Sequence, residues 1–301
     1  MLAVLLALCL GMNQYWINDT QQMLSLLNPS CWYDWGMREE YFYKQEYSPM
    51  LWQVNNKNLL NAGELAIKYP GKTWFVYNEP EGSDQANTPP EIAAEWFDKT
   101  YKVIKSVDST AKIGCCGIMI RNEGITWQNI FNQTVTVKPD FYHIHIYALT
   151  KNDWKSFVDY WHYFNTENIP TYITETCGMY SSDQTELINY VANYKHPNIK
   201  QIYWFGAYPQ EQWNCALLNN NNELTYLGEL YQQNNPTNLT PTPEPVTPTS
   251  TQIPTNTPTP VIQPLPTETN TPIPEDGSTN LYPTSEPIIY VYFQHLPISY
   301  K

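Results

Sequence analysis

The sequence predicts a (β/α)8 barrel, the TIM-barrel architecture, followed by a disordered tail rich in proline and threonine. Short apolar segments alternate with amphipathic ones over the first three quarters of the chain, as the strands and helices of a parallel α/β fold do. Eight segments resemble buried strands, which is the number that closes such a barrel. A doubly wound sheet is the alternative architecture for the same alternation.

The composition divides the chain into four segments. Residues 1–10, MLAVLLALCL, are too short to span a bilayer. They resemble a truncated secretory signal that lacks its positive start, and a buried core segment is the other interpretation. Residues 11–235 form the predicted catalytic domain. The predicted linker covers 236–287, and a short apolar tail covers 288–301.

The linker has a composition that cannot form a packed core. It holds 14 of the 25 prolines and 14 threonines, and it contains no Lys, Arg, Trp or Cys. Such a segment buries too little apolar surface to offset its ordering entropy, so we expect an extended, polyproline-like spacer. Linkers of this kind are typical of secreted modular proteins.

The predicted elements follow from apolar patterning. The eight strand-like segments are 12–16, 30–35, 47–52, 73–78, 111–118, 140–148, 170–176 and 200–208. A helix is predicted over 89–107, where proline stands near the start and apolar residues recur on one face. A second is predicted over 183–194, where Asp183 is a candidate N-cap with Glu186 three residues later.

Charge and cysteine content exclude several classes. A net charge of −13 and an isoelectric point near 4.7 argue against nucleic-acid binding. Six cysteines with no CxxC pair make a structural zinc site improbable. Cys115 and Cys116 are adjacent on a predicted strand, so we expect buried thiols that face opposite ways. The 11 tryptophans and 24 tyrosines suit either a large core or the stacking of sugar rings.

Two carboxylates stand at the ends of predicted strands. Asn78 and Glu79 end the fourth strand, and Glu175 ends the seventh. Barrel enzymes gather their reactive groups at these ends, so both acids can face one cleft. Paired carboxylates suit glycoside hydrolysis, in which one donates a proton and the other attacks or activates water. Strand alternation would turn Asn78 away from Glu79, so we expect a bulge or irregular turn there.

The segment HIHIY places three polar side chains on one face of the sixth strand. His143, His145 and Tyr147 alternate, so all three should face the barrel interior. No third and fourth metal ligands occur at suitable spacing, and no metal or other cofactor is predicted. His145 is expected to bond sugar hydroxyls or Glu79, and a buried core histidine is the alternative.

These residues carry a resemblance to glycoside hydrolase family 128, the small-barrel endo-β-1,3-glucanases of clan A. The similarity spans nearly all of residues 11–235. The matching motifs, in order, are CWYDWG (31–36), YSPMLW (47–52), WFVYNEPE (74–81), YHIHIYA (142–148), TYITETCG (171–178) and YWFGAY (203–208). One departure is Glu81, which stands where relatives are expected to have Asp.

The resemblance implies roles at the matching positions. Glu79 would be the general acid/base and Glu175 the nucleophile of a retaining double displacement. Asn78 would bond the substrate 2-hydroxyl, and Tyr147 would hydrogen-bond the nucleophile. The resemblance also implies four aromatic contacts to sugar: Trp204 as the floor at the cleavage point, and Trp52, Trp32 and Trp35 as walls.

Cys177 and Cys215 follow the seventh and eighth strands on the same rim, and we predict a disulfide between them.

The sequence therefore predicts a retaining, endo-β-1,3-glucanase-like hydrolase whose partner is a β-glucan polysaccharide. We expect a secreted or cell-surface monomer, with the C-terminal tail as a possible attachment point. The alternatives are another clan A glycosidase, such as a β-1,4-glycanase or an exo-glycosidase, and a non-catalytic carbohydrate-binding protein of the cell surface.

Overall fold

A computed structural model describes residues 8–12, 20–179, 182–210 and 214–235 of the chain. The predicted linker (236–287) and tail (288–301) lie outside the described residues. No helix in the described ranges is both long enough and apolar enough to cross a membrane.

The eight strands form one all-parallel sheet that is nearly closed into a barrel. They are β1 (Cys9–Gly11), β2 (Trp32–Tyr33), β3 (Met50–Leu51), β4 (Thr73–Val76), β5 (Lys112–Met119), β6 (Phe141–Ala148), β7 (Thr171–Gly178) and β8 (Ile199–Phe205). The order is β2-β1-β8-β7-β6-β5-β4-β3. Between the outer strands β2 and β3, a parallel bridge joins Trp32 to Tyr47. The predicted barrel is confirmed.

Helices alternate with the strands and cover the barrel. They are α1 (Thr20–Leu27), α2 (Asn56–Lys68), α3 (Pro90–Val107), α4 (Asn122–Thr134), α5 (Lys151–Phe164), α6 (Gln184–Ala192) and α7 (Tyr226–Asn234). A short 3-10 turn, Glu39–Tyr41, lies between β2 and β3. The helix predicted over 89–107 is confirmed as α3. Asp183 caps α6, since its side chain accepts a hydrogen bond from the Glu186 N–H at 2.9 Å.

The first strand lies earlier than the sequence predicts. We expected it over 12–16, whereas β1 is Cys9–Gly11. Leu8, Cys9 and Leu10 are buried, so the last three residues of the predicted signal segment belong to the core. An apolar run of this kind suits either role, and only long-range pairing distinguishes them. Residues 1–7 lie outside the described residues, and the signal stays a prediction.

The core has two layers because successive strand residues face opposite sides of the sheet. One buried cluster contains a residue from every strand except β5: Cys9, Tyr33, Met50, Phe75, Phe141, Tyr172 and Tyr203. It fills the barrel interior, where the Phe141 and Tyr172 rings stack at 4.1 Å. Strand β5 contributes Gly114 at this level, since a Cβ there would lie 2.0 Å from the Phe141 ring. The larger cluster lies between strands and helices.

The six cysteines form three disulfides, Cys9–Cys31, Cys115–Cys116 and Cys177–Cys215. The last pair has Cα atoms 6.0 Å apart, inside the range a disulfide requires. The expectation of two opposed thiols at Cys115 and Cys116 is wrong. Alternation does not hold there, because β5 shifts register after Cys116 and Gly117 takes a φ of +70°.

Candidate active site

The chain turns sharply where β4 ends, and this turn presents Glu79. The strand stops at Val76, and both Tyr77 and Glu79 adopt left-handed backbone angles, with φ of +71° and +43°. The Glu79 N–H donates to the Gly117 carbonyl at 3.0 Å, which ties the turn to β5. The irregular turn expected from the sequence is therefore present. Non-glycine residues in this region are strained and occur most often at functional sites.

Glu175 lies within β7 and is held by three donors. Tyr33 O–H and Trp35 Nε1–H donate to its Oε1 at 2.8 and 3.0 Å, and Tyr147 O–H donates to its Oε2 at 2.6 Å. The glutamate is 4% exposed. Trp35 itself has a φ of +60°, so Trp35, like Glu79, combines a strained backbone with a place at one of the two carboxylates. These three donors fix the orientation of the Glu175 carboxylate.

His145 on β6 connects the two carboxylates. Its Nδ1 donates to Glu79 Oε1 at 2.8 Å and lies 3.5 Å from Glu175 Oε2. One ligand-type atom from each of Glu79, His145 and Glu175 lies within 4.8 Å of the others. These atom types also bind metal ions. Here, however, the facing atoms form hydrogen bonds, and the Tyr147 hydroxyl already donates to Glu175 Oε2. We interpret the group as a proton-sharing cluster.

Burial and the charges of neighbouring groups have opposite effects on the pKa values of Glu175 and His145. Burial raises the pKa of Glu175, and the nearby His145 charge and the Tyr147 and Trp35 hydrogen bonds only partly offset that rise. Burial alone would lower the pKa of His145, but the charge of Glu175, the hydrogen bond that His145 donates to Glu79 and the charge of Glu79 raise it on balance. His145 and Glu175 therefore retain protons more readily than the free side chains do.

His143 lies two residues before His145 on β6 and has a different environment. Its Nε2 is 3.1 Å from the Val76 carbonyl, so Nε2 carries the proton, and Nδ1 is 3.3 Å from the Thr174 hydroxyl. Burial, followed by the His145 charge, lowers the pKa of His143 to about 3. This histidine is a neutral, satisfied member of the barrel interior, which is the alternative the sequence left open for the HIHIY segment.

Asn78 is buried beside Glu79 and is held by the loop that follows. Its backbone N–H donates to the Trp52 carbonyl at 3.2 Å, and its side-chain Nδ2 donates to Gln85 Oε1 at 3.1 Å. Its side-chain oxygen Oδ1 is buried, and no residue in the described ranges forms a hydrogen bond with it. The residue therefore lies next to the carboxylate pair with one polar atom uncommitted.

Two of the four predicted aromatic contacts are wrong, and the sheet explains why. Trp204 and Trp32 are both 0% exposed. Trp204 Nε1 donates to the Cys215 carbonyl at 2.9 Å, and Trp32 packs against Tyr47 with ring centroids 4.7 Å apart. Both rings lie between strands and helices, so neither offers a face to a sugar. Trp35 and Trp52 are partly exposed and remain candidate walls.

The sequence reasoning missed two residues near the carboxylates. Tyr33 donates to Glu175, and Phe205 packs against Trp35 and Tyr147 with centroids 5.6 and 5.9 Å away. The alternation of side chains along a strand could have identified Tyr33. Tyr33 and Trp35 are two residues apart and face the same side, whereas Trp32 faces the opposite side. By the same alternation, Phe205 takes the position assigned to Trp204.

Comparison with known families identifies the class of protein. The model of the glycosyl hydrolase catalytic core matches residues 11–231, most of the chain. The chain belongs to this glycosyl hydrolase family. No curated protein matches the sequence.

Solved structures that share this glycosyl hydrolase's fold are family 128 proteins of several subgroups, so the resemblance is confirmed at the level of the fold. An endo-β-1,3-glucanase from Sorangium cellulosum is 21% identical with a TM-score of 0.60, over 74% of this chain and 97% of its own. A curdlan-specific exo-β-1,3-glucanase from Blastomyces gilchristii, in complex with glucose, is 22% identical with a TM-score of 0.58, over 74% and 96%.

An oligosaccharide-binding protein from Cryptococcus neoformans also shares the fold. It is 17% identical with a TM-score of 0.58, over 76% of this chain and 93% of its own. Endo-acting, exo-acting and binding proteins therefore share this barrel, and the fold alone does not distinguish their activities.

Proposed function

We propose that the protein is a retaining glycoside hydrolase that cleaves β-1,3-glucan within the chain, with Glu79 as the acid/base and Glu175 as the nucleophile. The observation that carries the proposal is the meeting of these two carboxylates at His145 Nδ1. Family membership supports the reaction class. Glucanases among the structural neighbours support the substrate class.

The distance between the carboxylates favours retention. Their facing oxygens lie within 4.8 Å of each other. Retaining enzymes hold the two groups about 5–5.5 Å apart, whereas inverting enzymes leave about 6.5–9.5 Å for a water molecule. The spacing at Glu79 and Glu175 is therefore suited to direct attack by one carboxylate on the sugar.

The hydrogen bonds favour Glu175 as the nucleophile. The Trp35 indole N–H can only donate, and it points at Glu175 Oε1. Burial and the neighbouring carboxylate raise the pKa of Tyr147, so its hydroxyl stays protonated and also donates. An anionic Glu175 satisfies these donors, whereas a protonated one would compete with them. The Glu79 side chain is more exposed than that of Glu175 and is hydrogen-bonded to His145, which suits a group that exchanges protons with the leaving group.

The reaction then proceeds in two steps. In the first, Glu175 attacks the anomeric carbon while Glu79 donates its proton to the departing glycosidic oxygen, which forms a covalent glycosyl-enzyme. In the second, Glu79 removes a proton from water as the water attacks the same carbon, and Glu175 leaves as a carboxylate. Asn78 is proposed to contact the 2-hydroxyl, and Trp35 and Trp52 to contact the sugar rings.

The test is turnover of a linear β-1,3-glucan by the full chain. Glu175→Gln should abolish hydrolysis, and Glu91→Gln, at an exposed position on α3, is the matched control. NMR of the first product formed should show the β-anomer. An initial α-anomer would replace the retaining assignment with an inverting one, and unchanged turnover by Glu175→Gln would overturn the proposal.

Azide rescue assigns the two roles separately. Glu79→Ala with an activated aryl glycoside should yield a β-glycosyl azide, because azide then attacks the glycosyl-enzyme. Glu175→Ala should yield the α-azide, because azide replaces the missing nucleophile. The opposite pairing of variant and product would exchange the two assignments.

A non-catalytic, oligosaccharide-binding function is the second candidate, because one structural neighbour is described as an oligosaccharide-binding protein. Calorimetry with laminari-oligosaccharides and long incubation distinguish the two. Binding without any product would favour this candidate. Products from β-1,4-glucan alone would favour a different clan A glycosidase.

A secreted or cell-surface location and a monomeric state are further parts of the proposal. Three disulfides within the described residues suit an oxidising compartment. The Pro/Thr-rich segment suits a spacer. Fractionation of the native host and light scattering of the purified chain test these points.

A further inference from the structure

A third carboxylate, Glu81, lies beside the proposed acid/base and has no place in the two-step reaction. It follows Glu79 in the same turn, and its Oε1 accepts the Met119 N–H at 2.7 Å. Met119 is the last residue of β5 and pairs with His145 in the sheet. The bond therefore places Glu81 next to the strand position that carries His145.

The second oxygen of Glu81 is buried and has no hydrogen-bond partner among the described residues. Burial raises the pKa of Glu81 to about 7, and the Glu79 charge adds to this rise while His145 opposes it. The Nε2 of His145 is likewise buried, with no hydrogen-bond partner in the part of the chain that the structure describes. A carboxyl group with one uncommitted oxygen thus titrates near neutral pH beside the cluster that must hold the catalytic proton.

The same oxygen, Glu81 Oε1, also lies close to the first turn of α4. A Cβ added at Gly124 would lie 3.1 Å from Glu81 Oε1, so this glycine lets the carboxyl approach the helix start. The N-terminal end of a helix stabilises negative charge. Arg121 and Glu123 are the charged side chains of this turn, and both are exposed and of opposite sign. The charges that remain near Glu81 are those of Glu79 and His145, with Glu175 beyond His145.

We propose that Glu81 is a positioning residue that keeps the catalytic proton on the Glu79–His145 pair as the pH rises above neutrality. When Glu81 loses its own proton, its negative charge makes deprotonation of the neighbouring pair harder. The pair can then still supply the proton that Glu79 gives to the leaving oxygen above neutral pH. The inference rests on the proposed function, because it concerns the acid in that reaction.

The sign of the effect gives a test that a structural role would not reproduce. Below pH 7 the carboxyl group is neutral, and glutamine resembles it closely. Above pH 7 the wild type gains a charge that glutamine lacks. Glu81→Gln should therefore match the wild type in kcat/KM within about twofold near pH 5 and fall several-fold below it near pH 8.5. Its basic limb should move to lower pH.

Two further variants make the result specific. Glu81→Asp keeps the charge and should restore most of the basic limb. Glu123→Gln removes an exposed charge from the adjacent helix turn and should leave the profile unchanged, because solvent and salt screen it. Thermal unfolding of each variant, measured at both pH values, checks that folding is intact.

The outcomes separate the inference from the proposed function. If the ratio of Glu81→Gln to wild-type activity is the same at every pH, Glu81 serves only to accept the hydrogen bond from the Met119 N–H. That result would overturn the inference. A shift of equal size in Glu123→Gln would reduce it to a general charge effect and overturn it too. Activity that survives Glu175→Gln would instead defeat the proposed function.

Discussion

Glu79 and Glu175 both lie within reach of one nitrogen atom, Nδ1 of His145, at 2.8 Å from Glu79 Oε1 and 3.5 Å from Glu175 Oε2. The two glutamates come from different strands and are far apart in the sequence. A protonated imidazole between them reduces their mutual repulsion and gives Glu79 a donor partner.

Removal of the Tyr147 hydroxyl should slow the reaction without unfolding the protein. Tyr147→Phe deletes the 2.6 Å hydrogen bond to Glu175 Oε2 and leaves the ring in place. Hydrogen bonds to charged groups contribute about 1.5–3 kcal/mol, so kcat should fall about 10–100-fold. Steady-state kinetics measure the loss, and Tyr163→Phe, an exposed tyrosine on α5, is the control. Equal kcat for the two variants would contradict the prediction.

Trp204 should matter for stability and Trp35 for activity. Trp204→Ala empties a fully buried site and should cost about 3–5 kcal/mol of unfolding free energy. Trp35→Phe keeps a ring at a partly exposed position but loses the donor to Glu175, so kcat should fall while the melting temperature changes little. Urea unfolding and kinetics on both variants give the comparison. A raised KM in stable Trp204→Phe would restore Trp204 as a sugar contact.

The buried neutral His143 should make the protein less stable in acid. Its pKa falls from 6.5 in the free side chain to about 3 when folded. Between these values the unfolded state binds one more proton, so stability rises with pH by about 1.4 kcal/mol per pH unit from this group. Urea unfolding across pH 3.5 to 6.5 should show a shallower slope in His143→Gln than in the wild type. Parallel slopes would mean that His143 is charged in the folded protein.

The disulfide between Cys177 and Cys215 should stabilise the rim that carries Glu175. It joins the end of β7 to the segment after β8 across 38 residues, and closure of such a loop contributes about 4 kcal/mol in the chain-entropy account. The double variant Cys177→Ala/Cys215→Ala should lose most of this stability. Thiol titration of the unfolded, unreduced wild type should find no free thiol among the six cysteines. Free thiols there would refute the pairing.

Much of the fold could be predicted because its signals are local. Alternation of strand-like and helical segments, together with the capping of α6 by Asp183, does not depend on distant contacts. The first strand was not predicted at its true position because a short apolar run is compatible both with a signal segment and with a strand such as β1. The vicinal pair Cys115–Cys116 escaped because a register shift breaks the alternation on which the expectation depended.

The sequence by itself determined the barrel, the two acidic groups after β4 and on β7, and the family motifs that contain them. Only the tertiary structure decided that Glu79 and Glu175 share His145, that Tyr33 joins the donors around Glu175, and that Trp204 and Trp32 turn away. The physical reason is that side-chain direction at a strand end depends on left-handed residues such as Tyr77 and Glu79 and on pairing with neighbouring strands. Those contacts join distant parts of the chain, and local periodicity does not encode them.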